Sequence, residues 1–400
     1  MRLSQGRIHR ATPGPSIIPD KVLRAMNRAA PNIYDGEIID ITESILSDLA
    51  DFAKASGPVI IYVANGHGAW EASISNLFKK DDLILVISTG EFGTGWANLA
   101  KKMGLSVKVL DFGYESTVDL DKLEEVLRKD KSHKIQAVLT VQTDTASSVL
   151  NDVKKIKETI EVANHTALLL VDSIACFGCD RFEMDKWGVD LMITASQKGL
   201  MTPPGLSYCF IGEKSLERSL KIDKKSPYWD WLPRLNPEIF YERFFGTVPT
   251  HHIFGQRAAL DMLLREGREN VFKRHRVLAE AVWKAVDQWG QSGPLACNIA
   301  QKKYRSNAVT TITAPGWDLN ALCEWLKLNT GLELGVSLGF KSSKYMNGKS
   351  VCRIAHMGHL NPFMILGIIS TIETGLIACG IPHKAGGARS AAESIAKASN

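Results

Sequence analysis

Near-continuous runs of Val, Ile and Leu punctuate the first half of the chain, at residues 59–63, 83–87, 107–110, 137–141, 167–171, 191–194 and 206–211. Runs this short and this apolar suit strands buried on both faces of a mainly parallel sheet. Amphipathic stretches at 96–103, 121–128 and 153–163 lie between them and predict helices. The alternation predicts an α/β fold, a mainly parallel sheet flanked by helices, with its site at the C-terminal ends of the strands. From about Gln256 the texture changes: a long helical stretch (271–289), a strand (309–313), a helix (319–328), a strand (351–354) and a helix (362–379) predict a smaller α+β unit. The expected organisation is an N-terminal arm (1–20), a large domain (21–258), a small C-terminal domain (259–382) and a tail (383–400). Rich in Ala, Ser and Gly, the tail reads as a weakly ordered end. No internal repeat is visible.

Composition narrows the class without deciding it. Four hundred residues favour two domains, and 45% hydrophobic with 23% charged residues is ordinary globular composition. The net charge of +5 is small and dispersed; the denser cluster Lys221, Lys224 and Lys225 is interrupted by Asp223 and reads as a solvated face, not a nucleic-acid surface. Seven cysteines lie mostly in apolar stretches, which points to reduced thiols in a reducing compartment. Cys176 and Cys179 form a lone CxxC with no partner set at zinc spacing, so packing is the expected role and no metal is expected. The N-terminus, Met1-Arg2-Leu3-Ser4-Gln5-Gly6, lacks an apolar core, and no run approaches the roughly 18 apolar residues of a membrane span. The expectation is a cytoplasmic protein without membrane partners.

Candidate chemistry centres on two residues. Asp172 ends one apolar run, and Lys198, 26 residues on, follows another in Thr194-Ala195-Ser196-Gln197-Lys198-Gly199. A lysine amine can bond covalently to the aldehyde of pyridoxal 5'-phosphate, and a buried carboxylate can keep the pyridine nitrogen protonated. Either residue taken singly is as consistent with an ordinary solvent-facing strand end. Asn65-Gly66-His67-Gly68 follows a strand and opens a helix, so its backbone N–H groups can meet a phosphate. Trp70 and Glu71, within that helix, read as packing and surface residues, not ligands.

Several separated motifs add to this reading: Thr12-Pro13-Gly14-Pro15, the Asn65 to Gly68 turn, Val171-Asp172-Ser173, Ser196 to Met201 with Pro203-Pro204-Gly205, and Arg353-Ile354-Ala355-His356-Met357-Gly358. In this order they resemble the class-V, fold-type I pyridoxal phosphate enzymes, within which the chain is most similar to the serine–glyoxylate and alanine–glyoxylate aminotransferases. The resemblance implies that Lys198 carries the cofactor and that Asp172 pairs with its pyridinium nitrogen, that adjacent cation keeping the carboxylate ionised against the effect of its burial. It implies phosphate contacts from Asn65, Gly66, His67 and Gln197, an aromatic stack from Phe92, and a polar-edge contact from Thr145. Thr247 matches a phosphate contact donated by a neighbouring subunit, which implies a homodimer with composite sites. Arg353 is the expected fork for a substrate carboxylate, with Pro15 and Tyr34 near the substrate mouth.

Departures from the family pattern bear on substrate more than cofactor. Phe244 stands where some relatives carry a tyrosine hydroxyl, Ala355 replaces a glycine after the arginine, and Asp144-Thr145-Ala146-Ser147-Ser148 carries serine where glycine is usual. His67 follows the alanine–glyoxylate branch. The expected activity is ping-pong transamination from serine or alanine to glyoxylate or a similar 2-oxo acid. Aspartate-, ureidoglycine- and pyridoxamine-using transaminases of the same family are the near alternatives, and a pyridoxal phosphate-dependent lyase or desulfurase the more distant one. A desulfurase needs a reactive cysteine on a mobile loop. Neither Cys352, in a strand-like run, nor Cys176, just after Asp172, fits that description.

Overall fold

The computed structural model describes residues 3–223 and 225–399. Its strands run in chain order β1 (His9–Ala11), β2 (Val59–Ala64), β3 (Leu83–Ser88), β4 (Ser106–Asp111), β5 (Ile135–Val141), β6 (Leu168–Asp172), β7 (Leu191–Ala195) and β8 (Gly205–Ile211), followed by β9 (Ala296–Cys297), β10 (Val309–Thr313), β11 (Leu332–Val336) and β12 (Val351–Ala355). Seven of them form one sheet in the order β2-β8-β7-β6-β5-β3-β4, and five form a second, β1-β11-β12-β10-β9. In the larger sheet every neighbouring pair from β7 to β4 is parallel, and β8 runs antiparallel to both β7 and β2. Each of the seven apolar runs becomes one strand of this sheet.

Both faces of the large sheet are covered because successive side chains point to opposite faces. Ile61, Leu85, Val138, Leu169 and Met192 pack on one side with the helix Glu37–Ala53 and the helix Thr250–Glu266. Ile60, Ile84, Leu139, Leu170 and Ile193 pack on the other with Trp70 and Trp96, from the helices Gly66–Leu77 and Glu91–Lys102. Helix starts are set by local caps: the carboxylates of Asp119, Asp152 and Asp318 accept from the backbone N–H three residues on, at 3.1, 3.1 and 3.0 Å. Asn361 does the same for Met364 at 3.0 Å, with Pro362 pre-set for the first helical turn.

The second sheet packs against the helices Arg268–Trp289, Pro362–Ala378 and Gly387–Ser399 around Leu278, Val282, Ile354, Ile369 and Leu376. The N-terminal segment joins the two sheets. β1 pairs with β11 in the smaller one, and five residues past its end Ser16 bonds the loop after β7 in the larger one. Of the basic cluster, Lys225 lies 3.6 Å from Asp230, while Lys224, like Met1, Arg2 and Asn400, is outside the described residues. No helix among the described residues is long and apolar enough to cross a membrane.

The tail departs from expectation. Residues 383–400 read as weakly ordered, yet Gly387–Ser399 is a helix. Its Ala-rich composition favours helix once Ala388, Ala391 and Ile395 find an apolar surface. Gly387 packs so closely on Trp289 that a Cβ there would lie 2.2 Å from the indole nitrogen, and Glu373 accepts from the N–H groups of Gly386 (2.6 Å) and Ala388 (3.3 Å) at the helix start. Ala391 is fully buried and Ala392 exposed. Ala391→Glu is therefore expected to remove at least about 2 kcal/mol of stability and Ala392→Glu less than about 0.5 kcal/mol, read from denaturant unfolding. Equal midpoints for the two variants would mean that the terminal helix is not docked.

Candidate active site

β6 ends at Asp172 and the parallel β7 ends at Ala195, so Asp172 and the Ser196-Gln197-Lys198 turn emerge side by side at the C-terminal edge of the large sheet. A cavity of about 290 Å³ opens there. Nine of the residues singled out in the sequence line it: Pro15, Asn65, Gly66, His67, Phe92, Thr145, Asp172, Gln197 and Lys198.

Asp172 is 3% exposed and holds two hydrogen bonds: the Ile174 N–H donates to Oδ1 at 2.7 Å and the Trp70 indole N–H to Oδ2 at 2.7 Å. Burial pushes its carboxyl up to about 7; those two donors and Lys198 pull the other way, and the Asp144 charge adds to the rise. Lys198 by itself does not hold this carboxyl down. Among the described residues the two form no ion pair within 4.0 Å, and desolvation outweighs the longer-range attraction. The Lys198 amine is lowered to about 8, by burial first and then by the Arg353 charge. Its Nζ donates to the Pro13 carbonyl, while Ser16 fixes the lysine's backbone, Oγ donating to the Lys198 carbonyl at 2.7 Å and N–H to the Gln197 carbonyl at 2.9 Å.

The glycine turn is a helix N-terminus whose cap is its own first residue. Asn65 Oδ1 accepts from the N–H groups of His67 (3.1 Å) and Gly68 (3.4 Å). An anion at this turn shares those amides with the Asn65 side chain. Gly66 permits close approach: a Cβ there would lie 2.3 Å from Ile174 Cδ1. Phe92 lies in the first turn of the helix Glu91–Lys102, whose N-cap, Gly90, offers no side-chain cap. Asp144 supplies one from across the sheet, its Oδ2 accepting from the N–H groups of Phe92 (2.8 Å) and Gly93 (3.2 Å).

Arg353, on β12, is 6% exposed and bound by two main-chain carbonyls, Nε to Val336 at 2.7 Å and Nη1 to Thr145 at 3.0 Å. Among the described residues no carboxylate lies within 4.0 Å of it. Burial lowers it to about 10, so it stays cationic at neutral pH. It does not line the cavity itself but holds Thr145, which does. Tyr34 and Thr247 are not brought to the cavity by this chain: Tyr34 is 65% exposed, edge-on to Tyr241 at 6.3 Å, and Thr247 lies exposed before the helix Thr250–Glu266.

Two polar cavity atoms lack a partner among the described residues. Gln197 Oε1 and Thr143 Oγ1 are buried without a hydrogen bond, as expected where a polar ligand completes the site. With a buried amine, a buried carboxylate and a helix N-terminus around one cavity, the donor set fits pyridoxal phosphate. Trp70 is a correction: it lines the cavity and binds Asp172 instead of merely packing. Glu71, by contrast, accepts from the Trp229 indole at 3.1 Å. Trp70 and Asp144 went unread as site residues because their roles depend on partners 102 and 52 residues away. Cys176 and Cys352 are buried at 0% and 2% exposure, and both thiols are held well above their usual range, Cys176 chiefly by burial and Cys352 by its hydrogen bond with Cys323 and then by burial.

The sequence pattern described as Aminotransferase class-V matches residues 13–362. The chain belongs to the class-V aminotransferase family. It is 34% identical to a serine–glyoxylate aminotransferase of Methylorubrum extorquens, over 97% of this chain and 96% of that protein. To an L-aspartate–glyoxylate aminotransferase of Paracoccus denitrificans it is 30% identical, over 95% and 94%. The ureidoglycine–glyoxylate aminotransferase of Bacillus subtilis shares the fold, with a TM-score of 0.87 at 23% identity, over 98% of this chain and 99% of that one. The fold-type I architecture expected from the sequence is the one observed.

For this class-V aminotransferase, an amine lowered to about 8 fixes a pH dependence. Only the neutral amine attacks an aldehyde. Borohydride trapping of added pyridoxal on the cofactor-stripped protein, mapped to Lys198 by mass spectrometry, is expected to be half-maximal near pH 8. A midpoint near the ordinary lysine value of about 10.4 would contradict this electrostatic picture.

Proposed function

We propose that this aminotransferase holds pyridoxal 5'-phosphate on Lys198 and moves the amino group of a small neutral L-amino acid, serine or alanine, to glyoxylate or a similar 2-oxo acid. The observation that carries the reading is the convergence on one cavity of Lys198, Asp172 and the loop bound by Arg353, a buried guanidinium without a carboxylate partner. The cofactor, when bound, supplies an electron sink beside the substrate Cα. Asp172 would face the ring nitrogen and stabilise a proton there. Lys198, neutral in part near pH 8, would take the Cα proton and hold it for return, acting in the opposite sense for the second substrate. Asn65, Gly66, His67 and Gln197 would take the phosphate, Phe92 the ring face and Thr145 the polar edge. Arg353 would give its free N–H groups to the α-carboxylate, with Pro15 at the substrate mouth.

Thr247 and Tyr34 enter this reading through a second subunit. Both are exposed here, and a homodimer with composite sites would place them against the partner's cavity. The chain would then act as a large domain (21–258) carrying the cofactor and a small domain (259–382) carrying Arg353, in the cytoplasm. Aspartate is the second donor to weigh, given the 30% identical relative named for it. Ureidoglycine and pyridoxamine remain alternative donors, to be separated by the same assay. A lyase or desulfurase reading lacks a cysteine among the described lining residues.

A half-reaction screen tests the proposal. Single amino acids are mixed with the cofactor-loaded protein while the visible band at roughly 400–430 nm, expected of a lysine-linked pyridoxal, is followed. Serine and alanine should discharge the band and aspartate do so more slowly, whereas silence toward all three sinks the assignment. Arg353→Lys keeps the charge but loses the planar fork and is expected to lower kcat/KM for the amino acid about 100-fold. An unchanged kcat/KM would remove Arg353 from the site.

A further inference from the structure

Trp70 contributes one of the two hydrogen bonds that fix the Asp172 carboxylate, and it is the only one made by a side chain among the described residues. The Ile174 N–H is available to any sequence that makes this turn; the indole is a choice of residue, delivered from the helix Gly66–Leu77 across the sheet. That indole has little freedom. It is 1% exposed, stacked on Trp96 at 5.8 Å and 11° interplanar angle, and covered by the His67 ring at 4.5 Å, with Phe92 edge-on at 6.4 Å. One ring therefore touches the phosphate turn, the expected stacking ring and the ring-nitrogen carboxylate.

We propose that Trp70 is a positioning residue that aims the Asp172 carboxylate and favours its ionised form. The inference rests on the pyridoxal phosphate reading and deepens it. An indole N–H can only donate, so it binds the charged carboxylate better than the neutral acid. A hydrogen bond to a buried charge contributes about 1.5–3 kcal/mol, equivalent to about one to two pH units in the carboxyl's titration. Two donors occupy two of the roughly four lone-pair sites of a carboxylate and leave room for a pyridinium N–H. The other charged or titratable groups around Asp172 and Trp70 are Lys198, Asp144 and His67; Trp70→Phe changes none of them.

The test is the pH dependence of cofactor affinity. Pyridoxal phosphate is titrated into the stripped protein between pH 5 and 9, followed by quenching of tryptophan fluorescence. The wild type should gain affinity as Asp172 ionises near pH 7. In Trp70→Phe that midpoint should rise by about one to two pH units, with affinity at neutral pH about 10- to 100-fold weaker. Trp96→Phe is the control: its indole nitrogen is buried without a partner, so the variant disturbs the same stack but removes no hydrogen bond to Asp172, and its midpoint should stay with the wild type. A Trp70→Phe midpoint equal to that of Trp96→Phe would reduce Trp70 to packing and overturn the proposal, leaving the cofactor reading intact. No binding by the wild type at any pH would overturn both. Should Trp70→Phe not fold, the wild-type indole N–H resonance of Trp70 decides: it should titrate with the same midpoint as cofactor binding, and a resonance indifferent to pH refutes the contact.

Discussion

A carboxylate taken out of water at the end of a parallel strand sets the terms for everything around it. Asp172 sits at the edge of a sheet whose neighbours are Val171, Ile193 and Ile174, and the penalty for an unpaired buried charge is several kcal/mol. Two hydrogen bonds offset part of it, and Lys198 acts from beyond contact distance. What remains lifts the carboxyl to about 7, poised between its two forms. A cationic ring nitrogen beside it would lower that value and complete the pairing the chain leaves open. The same incompleteness recurs at Arg353, a buried cation with carbonyl partners only, and at the unbonded Gln197 and Thr143 oxygens. A site built this way has groups that a bound anion and a polar ring would satisfy.

The fold meets those terms by bringing distant segments to one edge. β6 and β7 supply Asp172 and Lys198, and the turn after β2 supplies the helix N-terminus. Asp144 pins the start of the Phe92 helix and its neighbour Thr145 receives Arg353, so the same loop orients a ring of the large sheet and a guanidinium of the small one. The N-terminal segment closes the arrangement. β1 is anchored in the small sheet, Pro13 packs against Gly335 and accepts from Lys198, and Ser16 holds the lysine's backbone. Movement of one sheet relative to the other therefore acts directly on the lysine.

What the sequence made legible follows from the range of the forces involved. The seven apolar runs could be read as strands because burial on both faces leaves a continuous signature, and Asp172, Lys198 and the glycine turn could be placed because strand ends are where such a sheet carries chemistry. β1 and β9 are three and two residues long and have no pattern of their own. The terminal helix was misread because alanine and serine look featureless until a partner surface is known, and that surface, around Trp289, lies about a hundred residues earlier. In the sequence Trp70 reads as packing and Asp144 as an ordinary loop carboxylate, since neither an indole nor a carboxylate declares a hydrogen-bond partner elsewhere on the sheet. Tyr34 and Thr247 were named through family resemblance, and one chain alone leaves them at the surface.

In the proposed site Asp172 and Lys198 address opposite ends of one bound ring. A crystal structure of the protein grown with pyridoxal 5'-phosphate is the decisive test. Density should run continuously from Lys198 Nζ into the ring, with the ring nitrogen at a hydrogen-bond distance of about 2.7–2.9 Å from an Asp172 oxygen. Density for the cofactor bound to another lysine, or a ring whose nitrogen faces away from Asp172, would contradict it.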